Sequence, residues 1–178
     1  MPEQSPEHPP LPPDDLSRTL AFASLGEGKL PHIGLVGDTY TITVSGEDTD
    51  GRYCVIDMHV PPGSGPGLHR HNYDETFIVL DGEIEVTFRG SKTTANSGDT
   101  ATIPSNAPHK FHNASTSPAR LICICSPAGI EKFFLEVGVP VATRTTPPPE
   151  LSPEEMAAFI KKAVSLAPKY QTEILKES

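Results

Sequence analysis

Four histidines fall in two tight clusters, His69 with His71 and His109 with His112, each near glycine, proline or an acidic residue. Alternate side chains of an extended strand share a face, so His69 and His71 point the same way. Glu75, four residues beyond His71, has the same parity. Imidazole nitrogen and carboxylate oxygen together suit borderline divalent ions: iron, manganese, nickel, cobalt or zinc. A nitrogen and oxygen set that leaves positions open is what a catalytic rather than a structural metal site requires. One stretch of chain cannot surround an ion. His109, which follows Pro104 and a turn at Ser105-Asn106, is placed on a distant strand to complete the set, whereas His112 has the opposite parity and points away. The competing view, hydrogen-bonded core and turn residues that happen to cluster, leaves the shared parity and the flanking glycines without a reason.

Tyr73, Phe77 and Phe111 share the ligands' parity and are candidates for an apolar wall against a flat substrate, or for ordinary interior filling. His59 ends a predicted strand and is expected to be a satisfied or exposed histidine; His8 and His32 have no company and no assigned role. Cys123 and Cys125 stand side by side on one strand face, and with Cys54 they are expected to be buried reduced thiols, a soft-metal site being the alternative.

These side chains need a scaffold of short strands. Between residues 39 and 126 the sequence is rich in Val, Ile, Thr, Phe and Tyr, broken by Gly, Pro, Asn and Asp, as in an all-β sandwich or barrel. Strands are predicted over 39–44, 52–60, 99–103, 109–113 and 119–125. A hairpin is predicted in which 76–80 turns through Asp81-Gly82 into 83–89, with Ile84, Val86 and Phe88 inward. Short connections favour antiparallel pairing. Two helices follow. The first is expected to begin at Ser126-Pro127, to present Ile130, Phe133, Phe134 and Val137, and to stop at Gly138. The second opens on a capping box, Ser152-Pro153-Glu154-Glu155, shows a stripe of Met156, Phe159, Ile160, Ala163 and Val164, and stops or kinks at Ala167-Pro168.

Bulk properties narrow the function. The 178 residues suit one compact domain with decorated ends: a disordered or arm-like Pro-rich tail over 1–15, a barrel with its lead-in over 16–126, and a helical extension over 127–178. The excess of 23 acidic over 14 basic residues gives a formal charge of −9, which repels nucleic-acid backbones and anionic membranes. No apolar run approaches the roughly 20 residues that span a bilayer, and the acidic N-terminus does not look like a secretory signal, so a cytoplasmic location is expected. The expected partner is a small-molecule substrate. The Pro-rich tail and exposed strand edges suggest a homodimer.

The spacing of the candidate ligands resembles the two motifs of the cupin superfamily. The first has Gly63, His69, His71, Glu75 and Gly82, and the second Gly98, Pro104, Asn106, His109 and Asn113. Asn106 stands where the family usually has glycine, and asparagine tolerates the positive φ such a turn needs. The resemblance covers roughly residues 37 to 126. It implies a double-stranded β-helix, or jelly-roll barrel, with C-terminal helices packed on it and one divalent transition metal held in its mouth by His69, His71, Glu75 and His109. The helical tail is similar to that of single-domain cupins related to quercetin 2,3-dioxygenase. By that resemblance the expected activity is a dioxygenase acting on a flavonol-like or other enolisable molecule, with Glu75 as both ligand and base. A non-oxidative isomerase or decarboxylase, and a non-catalytic small-ligand-binding barrel, are the alternatives.

Overall fold

Glycine, proline and asparagine interrupt the apolar alternation every few residues, so the strands are short and the chain turns often. The structure, a computed structural model, describes residues 10–26 and 29–176. Its strands are β1 (His32–Leu35), β2 (Asp38–Val44), β3 (Cys54–Val60), β4 (His69–His71), β5 (Asp74–Asp81), β6 (Glu83–Phe88), β7 (Ser91–Asn96), β8 (Thr100–Ile103), β9 (His109–His112), β10 (Ala119–Ser126), β11 (Val139–Pro140) and β12 (Thr172–Ile174). They form a seven-stranded sheet in the order β11-β1-β2-β3-β10-β5-β8 and a five-stranded sheet in the order β12-β4-β9-β6-β7. Neighbouring strands run antiparallel throughout, from β1 on β2 to β6 on β9. The core draws alternate residues from both sheets: Ile56, Met58 and Val60 of β3, Phe77 and Val79 of β5 and Leu121 of β10 meet Ile84 and Val86 of β6 and Phe111 of β9. Two antiparallel sheets facing each other across this core make the expected jelly-roll barrel.

The expected hairpin through Asp81-Gly82 does not form. β5 belongs to the seven-stranded sheet and β6 to the five-stranded one, so the chain changes sheets at this corner. A type I′ hairpin turn needs positive φ at both central residues; here Gly82 has φ 74° and Asp81 is not in that region. The hairpin lies one strand later. Arg89 (φ 49°) and Gly90 (φ 85°) join β6 to β7, with Phe88 opposite Ser91. The inward alternation of Ile84 and Val86 survives, because parity does not depend on which strand is the neighbour.

Helix α1 (Ile130–Val137) starts later than its sequence suggests. Its N-cap is Gly129, while Ser126 still belongs to β10 and donates its hydroxyl to the Arg52 carbonyl. Ile130, Phe133 and Val137 are buried, and Phe134 meets Tyr40 edge-on with ring centres 4.9 Å apart, so the helix covers the barrel core. Helix α2 (Pro153–Leu166) has the expected reciprocal capping box between Ser152 and Glu155, and gives way to a 3₁₀ turn, Ala167–Tyr170. The extension is more than helical. β11 pairs with β1, and β12 pairs with β4, setting Thr172 opposite His71 and Ile174 opposite His69. Two and three residues long, neither strand shows an alternation that sequence could reveal. Among the described residues no helix is long and apolar enough to cross a membrane. Residues 1–9 of the expected tail, with His8, lie outside the described residues; further along, Leu11, Leu16, Leu20 and Phe22 are all more than four-fifths exposed.

The sheet-switching corner is testable. A Cβ on Gly82 would lie 2.8 Å from the Pro118 carbonyl oxygen and 2.9 Å from Ala119 Cα, at a backbone angle that side chains rarely adopt. Gly82→Ala is expected to lower the unfolding free energy by about 1–3 kcal/mol in a denaturant titration; an unchanged midpoint would contradict this account of the corner.

Candidate metal centre

The strand pairing brings the two histidine clusters together. His69 on β4 is the direct antiparallel partner of His109 on β9, with ring centres 4.3 Å apart. His71 lies two residues along the same face, its ring 4.7 Å from that of His109. All three belong to the five-stranded sheet. Glu75 comes from β5 in the other sheet, between Ile103 on one side and Cys125 on the other. The four residues offer ligand atoms that all lie within 4.8 Å of one another. His71, Glu75 and His109 are buried, and His69 is the more open one.

Backbone carbonyls fix how each ring faces. His69 Nδ1 lies 2.8 Å from Gly67 O, His71 Nδ1 2.9 Å from Tyr73 O, and His109 Nδ1 2.9 Å from Ala107 O. A carbonyl oxygen can only accept, so each Nδ1 carries the hydrogen and the neutral ring is left with a bare Nε2. In His71 and His109 that atom faces the Glu75 carboxylate, 3.2 and 3.0 Å from Oε2. Bare nitrogens and a carboxylate oxygen are all acceptors, and such a set needs a proton or a metal ion among them. Cis ligands each about 2.1 Å from a shared ion stand about 3.0 Å apart at right angles and about 3.4 Å at the tetrahedral angle, so this donor set fits a divalent transition metal.

The electrostatics point the same way. Burial pushes the Glu75 carboxyl up, but hydrogen bonds from His109 and His71 outweigh it and hold the group well below the usual carboxylate range. Burial pushes His109 down, yet its bond to Glu75 raises it above the ordinary imidazole value. Burial and the neighbouring His109 lower His69 to about 4, so that ring is a neutral donor at physiological pH. The proton held between His109 and Glu75 sits on the atoms a metal ion would take.

Motif residues that are not ligands lock the two loops. Asn106, with φ 65°, donates its backbone N–H to the His71 carbonyl at 2.6 Å, tying the second motif's turn to the first motif's ligand. Gly63 N donates to Asn113 O, and the buried Asn113 amide donates to the carbonyls of Val60 and Ser117. Tyr73 stacks flat on His71, with ring centres 3.7 Å apart and planes within 3°. Phe77 and Phe111 pack edge to face in the core at 5.1 Å. Of these three aromatics, Tyr73 is the one in ring contact with a ligand.

The other histidines among the described residues stand apart. His112 lies opposite Glu85, His32 bonds Thr41 through Nδ1, and His59 is on the outer face beside the buried Asp57 with Arg144. Beneath the ligands lies a feature that parity did not disclose. The Cys123 and Cys125 thiols face Glu75 Oε1 at 3.3 and 3.8 Å, so the carboxylate has imidazoles on one oxygen and thiols on the other. Sequence places the two cysteines on one face, but the register that sets Glu75 opposite Cys125 is a tertiary fact.

Metal binding must displace the His109 proton. A divalent ion at a hundredfold its Kd should raise Tm by about 5–10 °C for a chain of this size. Because His109 holds its proton above the ordinary imidazole value, affinity is expected to fall by about tenfold per pH unit as the solution is acidified through that range. Calorimetric scans with and without metal across that range check the sign, and a Tm shift that grows on acidification would contradict it.

The comparisons agree with this geometry. The Cupin domain family matches residues 56–125, which span every proposed ligand. The quercetin 2,3-dioxygenase of Bacillus subtilis is 29% identical over 108 residues, which is 60% of this chain and 32% of that enzyme. The chain thus matches about a third of that relative's length. Among solved structures, an RmlC-like cupin of Shewanella frigidimarina superposes with a TM-score of 0.55 at 18% identity, over 66% of this chain and 99% of that one. A predicted oxalate decarboxylase of Thermotoga maritima gives 0.52 at 21%, over 59% and 97%. At these identities the structures speak for the fold alone. With both motifs present, Asn106 standing for glycine in the second, residues 56–125 are similar to the Cupin domain family in sequence and share the jelly-roll fold of these solved structures.

Proposed function

We propose that this chain is a metal-dependent dioxygenase acting on a flavonol-like or other enolisable small molecule. The observation that carries the proposal is Glu75: a buried carboxylate whose Oε2 touches two imidazoles, placed to bind a cation and also to accept a proton from a substrate held beside it. The likeness to a quercetin 2,3-dioxygenase over 60% of the chain supports the substrate class. When bound, a divalent ion supplies Lewis acidity toward an enol or phenol oxygen and, for a redox-active metal, a route for electrons to oxygen.

The protein's own part is positional. Three carbonyl-anchored imidazoles keep their donor atoms fixed, so the centre needs little reorganisation. His69, the most open of the four, marks the side from which a substrate approaches. Glu75 Oε2 takes the substrate hydroxyl proton in a site that the apolar barrel interior shields from water, where proton transfer contributes typically 10²–10⁴-fold. An apolar wall from Tyr73, Phe77 and Phe111 belongs to the same proposal, supported by their position on the ligand face. A cytoplasmic site of action also belongs to it, supported by three free cysteines.

A non-oxidative isomerase or decarboxylase is the second reading. Small anionic substrates call for inward arginine or lysine, and among the described residues none of the buried polar side chains is a Lys or Arg. That favours a substrate of low charge. The test is oxygen uptake by metal-loaded protein with quercetin. Glu75→Gln keeps an oxygen donor and should lower kcat by about 10²–10⁴ while much of the metal is retained. Wild-type uptake that Glu75→Gln leaves unchanged would overturn the role of this residue, and no uptake with quercetin or simpler enolisable dicarbonyls would overturn the dioxygenase assignment.

A further inference from the structure

The thiols under the carboxylate go beyond the metal centre described above. Cys123 Sγ and Cys125 Sγ are 3.5 Å apart, and Glu75 Oε1 lies 3.3 Å from the first and 3.8 Å from the second. A tetrahedral ion with bonds of about 2.3 Å to sulfur and about 2.1 Å to oxygen separates its donors by about 3.6 to 3.8 Å, so this triangle is close to one face of such a tetrahedron. Cys54 on β3 stands directly opposite Cys125, beside this triangle rather than within it. All three cysteines are buried and free, and Glu75, Cys123 and Cys125 together satisfy the spacing of a metal-ligating group.

We propose that Cys123 and Cys125, with Glu75 Oε1 and with Cys54 beside them, form a second cation site selective for thiophilic d10 ions such as zinc, cadmium or cuprous copper. Each coordinating thiol gives its proton to solvent as its sulfur–metal bond forms. That requirement disfavours hard and weakly thiophilic cations at this position and leaves them to the imidazoles, which need less deprotonation. The two sites share one carboxylate, Oε2 toward the histidines and Oε1 toward the thiols. A thiophilic ion therefore ties up the group that the first site uses as ligand and base, and such ions should act on this centre from beneath. The proposal does not depend on the oxygenase assignment.

Reduced, metal-free protein titrated with cadmium chloride in the absence of oxygen reads the site directly, through the ultraviolet thiolate-to-cadmium charge-transfer band. Imidazole and carboxylate ligands do not produce it. The folded wild type should develop the band with saturation near one equivalent, His69→Ala should keep it, and Cys123→Ser should lose most of it with circular dichroism unchanged. Should the double substitution Cys123→Ser with Cys125→Ser unfold the barrel, the wild-type and Cys123→Ser titrations still decide. No band in the folded wild type would mean that these are core thiols only, and a band that survives Cys123→Ser would place the cadmium on other thiols and overturn this site. Loss of the band in folded His69→Ala would equally overturn a separate site.

Discussion

The carboxylate of Glu75 sits between two sheets, far enough from solvent that its charge has to be met by protein or by an ion. An isolated buried carboxylate carries an effective penalty of several kcal/mol. Here the penalty is offset from the opposite sheet: His71 and His109 approach Oε2 at 3.2 and 3.0 Å. That contact joins β5 of one sheet to β4 and β9 of the other. Much of the local architecture serves to keep it in register, including the carbonyls that fix each Nδ1, the Tyr73 ring stacked on His71, and the Asn106 turn bonded to the His71 carbonyl. With His109 carrying a proton the cluster is held together by a hydrogen bond, and a divalent ion on the same atoms does the same work with greater strength.

Such an arrangement explains why the two motifs must come from distant parts of the chain. Antiparallel pairing places His69 opposite His109, although 40 residues separate them, and the change of sheet at Gly82 sends the chain from the strand that bears Glu75 to the strand beside β9. C-terminal residues complete the support. β12 flanks β4 on the side away from β9, and Arg70 pairs with Glu173 between the histidine ligands, an exposed ion pair that adds little by itself but extends the strand ladder.

His69 and His71 were legible because side-chain parity within a strand is local, and His109 follows a recognisable turn. Glu75 does not share their strand face as its parity suggested, because the chain breaks after β4 and β5 brings it to the same centre from the facing sheet. Pairing was less legible. Asp81-Gly82 has the composition of a hairpin turn, yet the chain crosses to the other sheet there, since the hydrophobic pattern is satisfied equally by either neighbour. Ser126-Pro127 has the composition of a helix start, yet Ser126 remains in a strand paired with Asp74, and tertiary pairing overrides the capping signal. The contact between Cys123 and Glu75 depends on register across β5 and β10, which no local pattern specifies.

The central claim is that His69, His71, Glu75 and His109 close on a single cation through imidazole nitrogen and carboxylate oxygen. X-ray absorption at the metal edge of protein loaded with one equivalent of cobalt or nickel tests it most directly. The account predicts a nitrogen and oxygen first shell at about 2.0–2.2 Å with outer-shell scattering from three imidazoles. A first shell dominated by sulfur, or scattering from fewer than three imidazoles, would contradict it.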